Sequence, residues 1–191
     1  MRSLPATRAS LVEDLRSLGL DRGMVVIVHS SFRAVGPVEG GPLALIQALL
    51  DVVGRDGTVV MPAHTGHLTD PANWRRPPVP EHMWRGLRLA MRPFDPRHTP
   101  SSNMGIVAET FRQLPGTLRS HHPVESICAR GPAAEAITAR QPWNAASGPD
   151  GPLGRLYELD AHVLLIGVNH NRNTSLHLAE ALAQVPYRQC D

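Results

Sequence analysis

The chain has 191 residues, 42% of them hydrophobic, enough for one domain with a substantial buried core. Aromatic residues make up only 4%, and 19 basic residues, Arg scattered along the chain, stand against 17 acidic ones for a net charge of +2, so neither a stacking platform nor a polybasic footprint for nucleic acid is present. No stretch reaches the roughly 18 apolar residues of a membrane span, and Met1-Arg2-Ser3-Leu4-Pro5 opens the chain without an apolar leader. Two cysteines, Cys128 and Cys190, form neither a ligand cluster nor a disulfide framework. The expectation is a soluble, cytoplasmic protein in which Cys128 is a buried free thiol.

Residues 7–18 carry Leu11, Leu15 and Leu18 at spacings of four and three, which predicts an amphipathic helix stopped by Gly19. Met24 to Val28 is an apolar, β-branched run of strand length that delivers His29, Ser30 and Ser31 at its tip. Gly40-Gly41-Pro42 opens a helix running through Val53, since proline suits a first helical turn. Thr58 to Met61 is a second buried strand with the polar tip Pro62-Ala63-His64-Thr65. Strands alternating with helices predict an α/β fold, a mixed and largely parallel sheet covered by helices.

From Leu68 to Pro100, seven prolines break the periodicity, and the prediction is an ordered lid or pocket wall without a long helix, anchored by Trp74, Trp84 and Phe94. Helical spacing returns from Met104 to Leu114. A short strand is expected at 127–129, helices at 132–139 and 153–159, and a third clear strand from Val163 to Val168. Asn173 can cap a final helix, along which Leu178, Leu182 and Val185 form an apolar stripe. No repeat or low-complexity tract divides the chain, so residues 1–191 are expected to form a single domain.

His177 and Glu180 lie three apart on that last helix and share a face. An imidazole paired with a carboxylate near the end of a strand suits a general base whose charged form is held by its neighbour; an ordinary surface pair is the alternative. Ser30 and Ser31 can meet a substrate carbonyl or cap a turn, and no Gly-x-Ser-x-Gly elbow makes either a nucleophile. Phosphate-binding P-loop and Gly-x-Gly-x-x-Gly patterns are absent. His64, His67, His170, His177 and Glu180 could surround an ion, but without His-Glu-x-x-His or a compact Cys/His array no metal is expected, and a metal-dependent hydrolase is a secondary reading.

Taken together, the motifs resemble the aminoglycoside 3-N-acetyltransferases along nearly the whole chain. The likeness rests on Val28 to Gly36, Gly57 to Pro62, Leu68 to Trp74, Pro77 to Glu81, Phe94-Asp95-Pro96, Thr99 to Gly105, Arg119 to Pro123, Leu165 to Val168 and Asn173 to Glu180. The resemblance implies an α/β fold distinct from that of the general-control-type acetyltransferases. It implies acetyl-CoA as cosubstrate and direct transfer to the 3-amine of a deoxystreptamine ring, conferring antibiotic resistance. His177 would be the base and Glu180 its orienting partner. Ser30, Ser31, Val35, Gly36, Ser101, Ser102, Met104 and Gly105 would line the coenzyme A arm, with Arg33 on its phosphates by charge and place. A polycationic acceptor calls for acidic walls, for which Asp70, Glu81 and Asp95 in the Pro/Trp segment are candidates. Members of the family run tens of residues past the position of Asp191, and Gly151 and His121 stand where they more often carry Ser and Asp or Asn. An inactive remnant or binding scaffold of the same fold is therefore the alternative.

Overall fold

In the computed structural model, residues 4–185 are described, so that Met1 to Ser3 and Cys190 lie outside the described residues. The helix predicted at the start is α1 (Arg8–Ser17), whose Thr7 side chain accepts from the Ser10 amide while the Ser10 hydroxyl accepts from the Thr7 amide in return. Strand β1 (Val25–Ser30) leads into a single turn, α2 (Phe32–Val35), and then into α3 (Gly41–Val53) and β2 (Thr58–Pro62). Both strands are buried through their middles. α3 buries Leu45, Ile46, Leu49, Val52 and Val53, each worth roughly 1.5–3 kcal/mol when fully withdrawn from water.

The segment predicted to lack a long helix holds one. Glu81–Ala90 forms α4, ten residues between Pro80 and Met91. Proline breaks a helix only from inside, where its missing N–H and its ring conflict with the preceding turn; Pro80 stands just before the first turn, where that N–H has no intrahelical partner in any case. None of the residues of α4 is buried, and short 3₁₀ turns at Gly66–Leu68 and Pro71–Asn73 precede it.

Then follow α5 (Gly105–Gln113), β3 (Leu118–Arg119), β4 (Ile127–Arg130), α6 (Ala134–Thr138), α7 (Pro152–Glu158), β5 (His162–Ile166) and α8 (Ser175–Leu182). The last helix begins after Thr174, which holds the cap position without a side-chain bond, and Asn173, expected to cap it, lies one residue earlier and accepts the Ser175 amide at 3.1 Å. The five strands lie in the order β3-β4-β2-β1-β5. β1 pairs in parallel with β2 and β5, and β4 runs antiparallel to β2 and β3, so the sheet is mixed.

Two hydrophobic clusters cover its faces. Val26, Val28, Val59, Met61 and Ala63 pack with α1, α3 and α5, whereas Ile27, Val60, Ile127 and Ala129 pack with α6, α7 and Leu178 of α8. Alternate residues of one strand therefore serve opposite layers. β5 forms the edge, with Val163 39% exposed. The stripe expected on α8 is divided accordingly: Leu178 is buried, Leu182 is 53% exposed, and Val185 lies beyond the end of the helix. Cys128 is a buried free thiol on β4, pushed up to about 12 by burial, which keeps it protonated and unreactive.

Candidate active site

A cleft of about 760 Å³ opens beyond the C-terminal end of β1, where ligands gather in open α/β sheets. Five of the residues expected to line the coenzyme arm meet there: Ser30, Ser31, Arg33, Met104 and Gly105. The Ser31 amide donates to the Ile166 carbonyl at 2.9 Å, tying this corner to β5, and its hydroxyl takes no part in capping α2. Gly105 has φ +84°, and an added Cβ would meet its nearest atom, the Ser30 carbonyl oxygen, only at 3.7 Å; conformation rather than space requires glycine here. The opposite rim is Val168, Arg172 and Thr174. That rim can approach α2 because Gly167 has no side chain, for a Cβ there would lie 2.6 Å from that of Ala34.

The other four predicted cofactor residues do not line this cleft. Val35 is half-buried in α2, and Gly36 lines a separate hollow with Pro5, Thr7 and Pro37. Ser101 donates its amide and hydroxyl to Glu109 at 2.9 and 2.7 Å. The Ser102 amide donates to the His64 carbonyl at 2.8 Å, while its hydroxyl is buried without a partner. These two serines fix the loop that presents Met104 and Gly105.

Two arginines lock that loop from behind. Arg112 binds both oxygens of Glu109, at 3.0 and 2.5 Å, and donates to the Arg97 carbonyl at 2.8 Å. Burial alone would raise the Glu109 carboxyl, but the hydrogen bonds from Arg112, Ser101 and Gln113 outweigh it and hold the group at about 2. Arg119, buried beneath the Phe94 ring at 4.9 Å, donates to Ser126 Oγ and to the carbonyls of Thr99 and Ala63. Neither arginine is distinguishable by type from the scattered surface ones, and sequence reasoning missed both.

His177 Nδ1 lies 3.0 Å from Glu180 Oε2 on α8, and both side chains are open to solvent. With Nδ1–H donated to the carboxylate, the lone pair of Nε2 is free to take a proton. The pair begins one turn beyond Thr174, whose carbonyl accepts the His177 amide at 3.1 Å.

The acids of the Pro/Trp segment have local partners. Asp70 caps the Pro71 turn and accepts two bonds from Arg88, at 2.9 and 2.8 Å, which with the Ala72 amide hold its carboxyl below the usual range. Asp95 accepts from His98 and the Arg97 amide, chiefly the former, and sits at about 2. Glu81 is exposed in the first turn of α4. None of the three lines the cleft, and the segment around them carries Arg75, Arg76, Arg85, Arg88, Arg92 and Arg97.

In the sequence His29 stands out only as the polar tip of a strand, and His64 as a strand tip and a conceivable metal ligand. His29 is 7% exposed and lines the cleft; burial, with a contribution from His64, lowers it to about 4. His64 is likewise lowered to about 4 by burial, against the pull of Glu125 and with the push of His177, His122 and Arg119. The Nε2 atoms of both rings are buried and without a partner. Among the described residues no group of three or more His, Cys, Asp or Glu side chains could hold a metal ion, and no helix is long and apolar enough to cross a membrane.

The aminoglycoside 3-N-acetyltransferase family model matches residues 27–191. The chain belongs to that family. Among its relatives, the SPbeta prophage-derived aminoglycoside N(3')-acetyltransferase-like protein YokD of Bacillus subtilis strain 168 is 42% identical over 188 residues, 98% of this chain and 68% of the relative. Aminoglycoside N(3)-acetyltransferase IV of a Salmonella species is 42% identical over 181 residues, 94% of this chain and 60% of the relative. The crystal structure of YokD superposes with a TM-score of 0.93, covering 98% of this chain and 69% of that one. The binary complex of AAC-IIIb with CoASH, 37% identical, does so at 0.85 over 96% and 67%. The chain thus spans about two thirds of the length of the relatives it matches. The aminoglycoside acetyltransferase fold is shared across that span.

Proposed function

We propose that this member of the aminoglycoside 3-N-acetyltransferase family transfers acetyl from acetyl-CoA to the 3-amino group of a deoxystreptamine ring, in the cytoplasm, and so confers resistance to the antibiotic. The observation that carries the reading is the hydrogen-bonded His177–Glu180 pair one turn beyond the rim of a cleft that gathers Ser30, Ser31, Arg33 and Gly105. The AAC-IIIb complex, a structural relative, binds CoASH. In this chain Arg33 and Arg172 both line the cleft and have no ion-pair partner among the described residues, and Gly105 and Ile106 at the start of α5 line it as well; cations and a helix N-terminus suit the phosphates of coenzyme A.

An aminoglycoside amine is largely protonated near neutrality and must lose a proton before its nitrogen can attack a thioester. His177 Nε2 takes that proton, and Glu180 stabilises the imidazolium formed. Asp70 and Asp95 act as ties within the Pro/Trp segment. The six arginines of that segment also repel a polycation, so the acceptor approaches from the α8 side, where Glu180 offers negative charge.

The test is release of coenzyme A thiol when the chain is mixed with acetyl-CoA and a gentamicin-like aminoglycoside, with the acetylated nitrogen located by NMR. Thiol release coupled to acetylation at the 3-amine is expected. Coenzyme A binding without turnover on any aminoglycoside would instead assign the chain to the inactive-scaffold alternative.

A further inference from the structure

Two buried imidazoles lack partners, His29 in the lining of the cleft and His64 behind it, and the backbone places them on adjacent strands. Along β1, Ile27 packs on the α7 and α8 side of the sheet, and strand alternation puts His29 on that same side. Along β2, Val60 has the same orientation. The chain stays extended past the end of β2, since the Ala63 and Thr65 amides continue to donate to Ser126 and Val124 of the neighbouring segment. Met61 and Ala63 therefore face α3 and α5, and His64 turns to the α8 side with Val60. His29 and His64 thus sit at the ends of adjacent parallel strands, beneath the helix that carries His177, and each ring perturbs the charge of the next.

Buried polar atoms ordinarily find hydrogen-bond partners. Here His29 Nε2 and His64 Nε2 have none, and neither does Ser102 Oγ, whose backbone amide is bonded to His64. Both rings are neutral at physiological pH, so each can carry one N–H, and a neutral donor fixed in an enclosed site needs no rearrangement as negative charge develops in front of it. His29 lines the cleft beside Ser30 and Ser31, and His64 stands behind that lining at the end of the adjacent strand.

We infer that the Nε2–H groups of His29 and His64 receive the thioester carbonyl oxygen of the acetyl donor and hold the oxyanion formed during transfer. The inference rests on the acetyl-transfer reading above. The amine lone pair forms the new N–C bond as the carbonyl π pair moves onto oxygen, between the two imidazoles. The proton His177 first took from the ammonium passes to solvent from its exposed ring, the tetrahedral nitrogen then gives His177 its second proton, and as the oxyanion collapses and the C–S bond breaks the departing thiolate takes that second proton, leaving the neutral amide and the coenzyme A thiol. Ser102 Oγ can add a third donor once its hydroxyl turns toward the same point.

The test is infrared difference spectroscopy of acetyl-CoA carrying ¹³C at the thioester carbonyl, bound to the whole chain and free, for the parent and for His29→Leu, His64→Leu and His64→Gln. The parent and His64→Gln, which keeps a donor, should show the bound carbonyl at lower frequency than the free one. His29→Leu and His64→Leu should lose most of that displacement, and kcat should fall about 100-fold to 1,000-fold with little change in KM for acetyl-CoA. A bound carbonyl at the free frequency in the parent overturns the inference. So does a displacement that survives in both Leu variants, which would mean that the imidazoles hold an ordered water only. The displacement and its loss without turnover on any aminoglycoside would leave this inference standing and remove the assigned acceptor; failure of the parent to bind acetyl-CoA would remove both.

Discussion

The two walls of the cleft are built on different terms. The wall made by α5 and the loop before it is bolted from behind: Glu109 and Arg112 are mutually bonded, Arg119 reaches three separate segments, and Ser101 and Ser102 are tied by their backbones. On the other side α8, which starts just past the rim residue Thr174, has Leu178 as its one buried residue, and its His177 side chain is 61% exposed. A cosubstrate of fixed shape suits a wall that cannot move, and a base that must meet a bulky amine has to remain reachable. On this division, substitutions on α8 should reduce turnover while leaving stability and coenzyme A affinity intact, and substitutions on the α5 wall should do the reverse.

The largest effect is expected from His177→Ala, with turnover lowered about 100-fold to 10,000-fold, the usual contribution of a general base. Titration calorimetry of coenzyme A should give the parental affinity, and Glu180→Gln should lose a smaller part of the rate because the base remains. Equal losses of affinity and rate would join the two walls into one unit.

On the other wall, Glu109→Gln leaves Arg112 without its counter-charge. Because Glu109 keeps some contact with water, the loss should be on the order of 2 kcal/mol, short of the 3–5 kcal/mol seen when a fully buried pair is broken, and denaturant titration will measure it. Gly105→Val comes next, since a branched side chain at φ +84° costs about 1–3 kcal/mol and displaces the loop that faces the cleft. Weaker coenzyme A binding is expected, with the His177 step itself unaffected in single-turnover measurements.

Acid should act through the two buried imidazoles, His29 and His64. The folded rings of His29 and His64 titrate near 4, and the ordinary value is 6.5. Above pH 6.5 neither the folded nor the unfolded chain binds these protons, and the stability is fully present. Below it the unfolded chain takes up protons that the folded chain excludes, so stability falls as pH drops from 6.5 through 4. Replacing His64 with Gln should flatten that slope in a series of melting temperatures; an unchanged slope would show that the ring is hydrated in the folded state. The smallest effect belongs to Asp70→Asn, which opens an exposed pair with Arg88 worth about 0–1 kcal/mol and should leave KM for the aminoglycoside near the parental value. A marked rise in KM would return Asp70 to the substrate wall.

Much of this arrangement was legible in the sequence wherever local pattern and tertiary role coincide. The runs at Val25–Ser30 and Thr58–Pro62 are apolar because both faces of the sheet are covered, and their polar tips mark where the sheet opens. His177 and Glu180 were visible through helical spacing alone. Helix α4 is hidden in the sequence because dense prolines mask its periodicity, although Pro80 sits where a helix tolerates it. β3 is two residues long and has no pattern to find. Asp70 and Asp95 carried the right charge for the acceptor, but their nearest neighbours in the chain, the Pro71 turn and the Arg97-His98 pair, take up their hydrogen-bonding capacity. His29 and His64 acquire their character from burial and from the absence of partners, and neither property can be read from residue type.

The most direct test of the account is chemical rescue. Imidazole added to His177→Ala, saturated with acetyl-CoA and an aminoglycoside, should restore turnover in proportion to its concentration and to the fraction present as free base, because the open α8 side admits a small base to the position the side chain vacates. No recovery at any imidazole concentration, in a variant that still binds coenzyme A with parental affinity, would contradict the assignment of His177 as the proton acceptor.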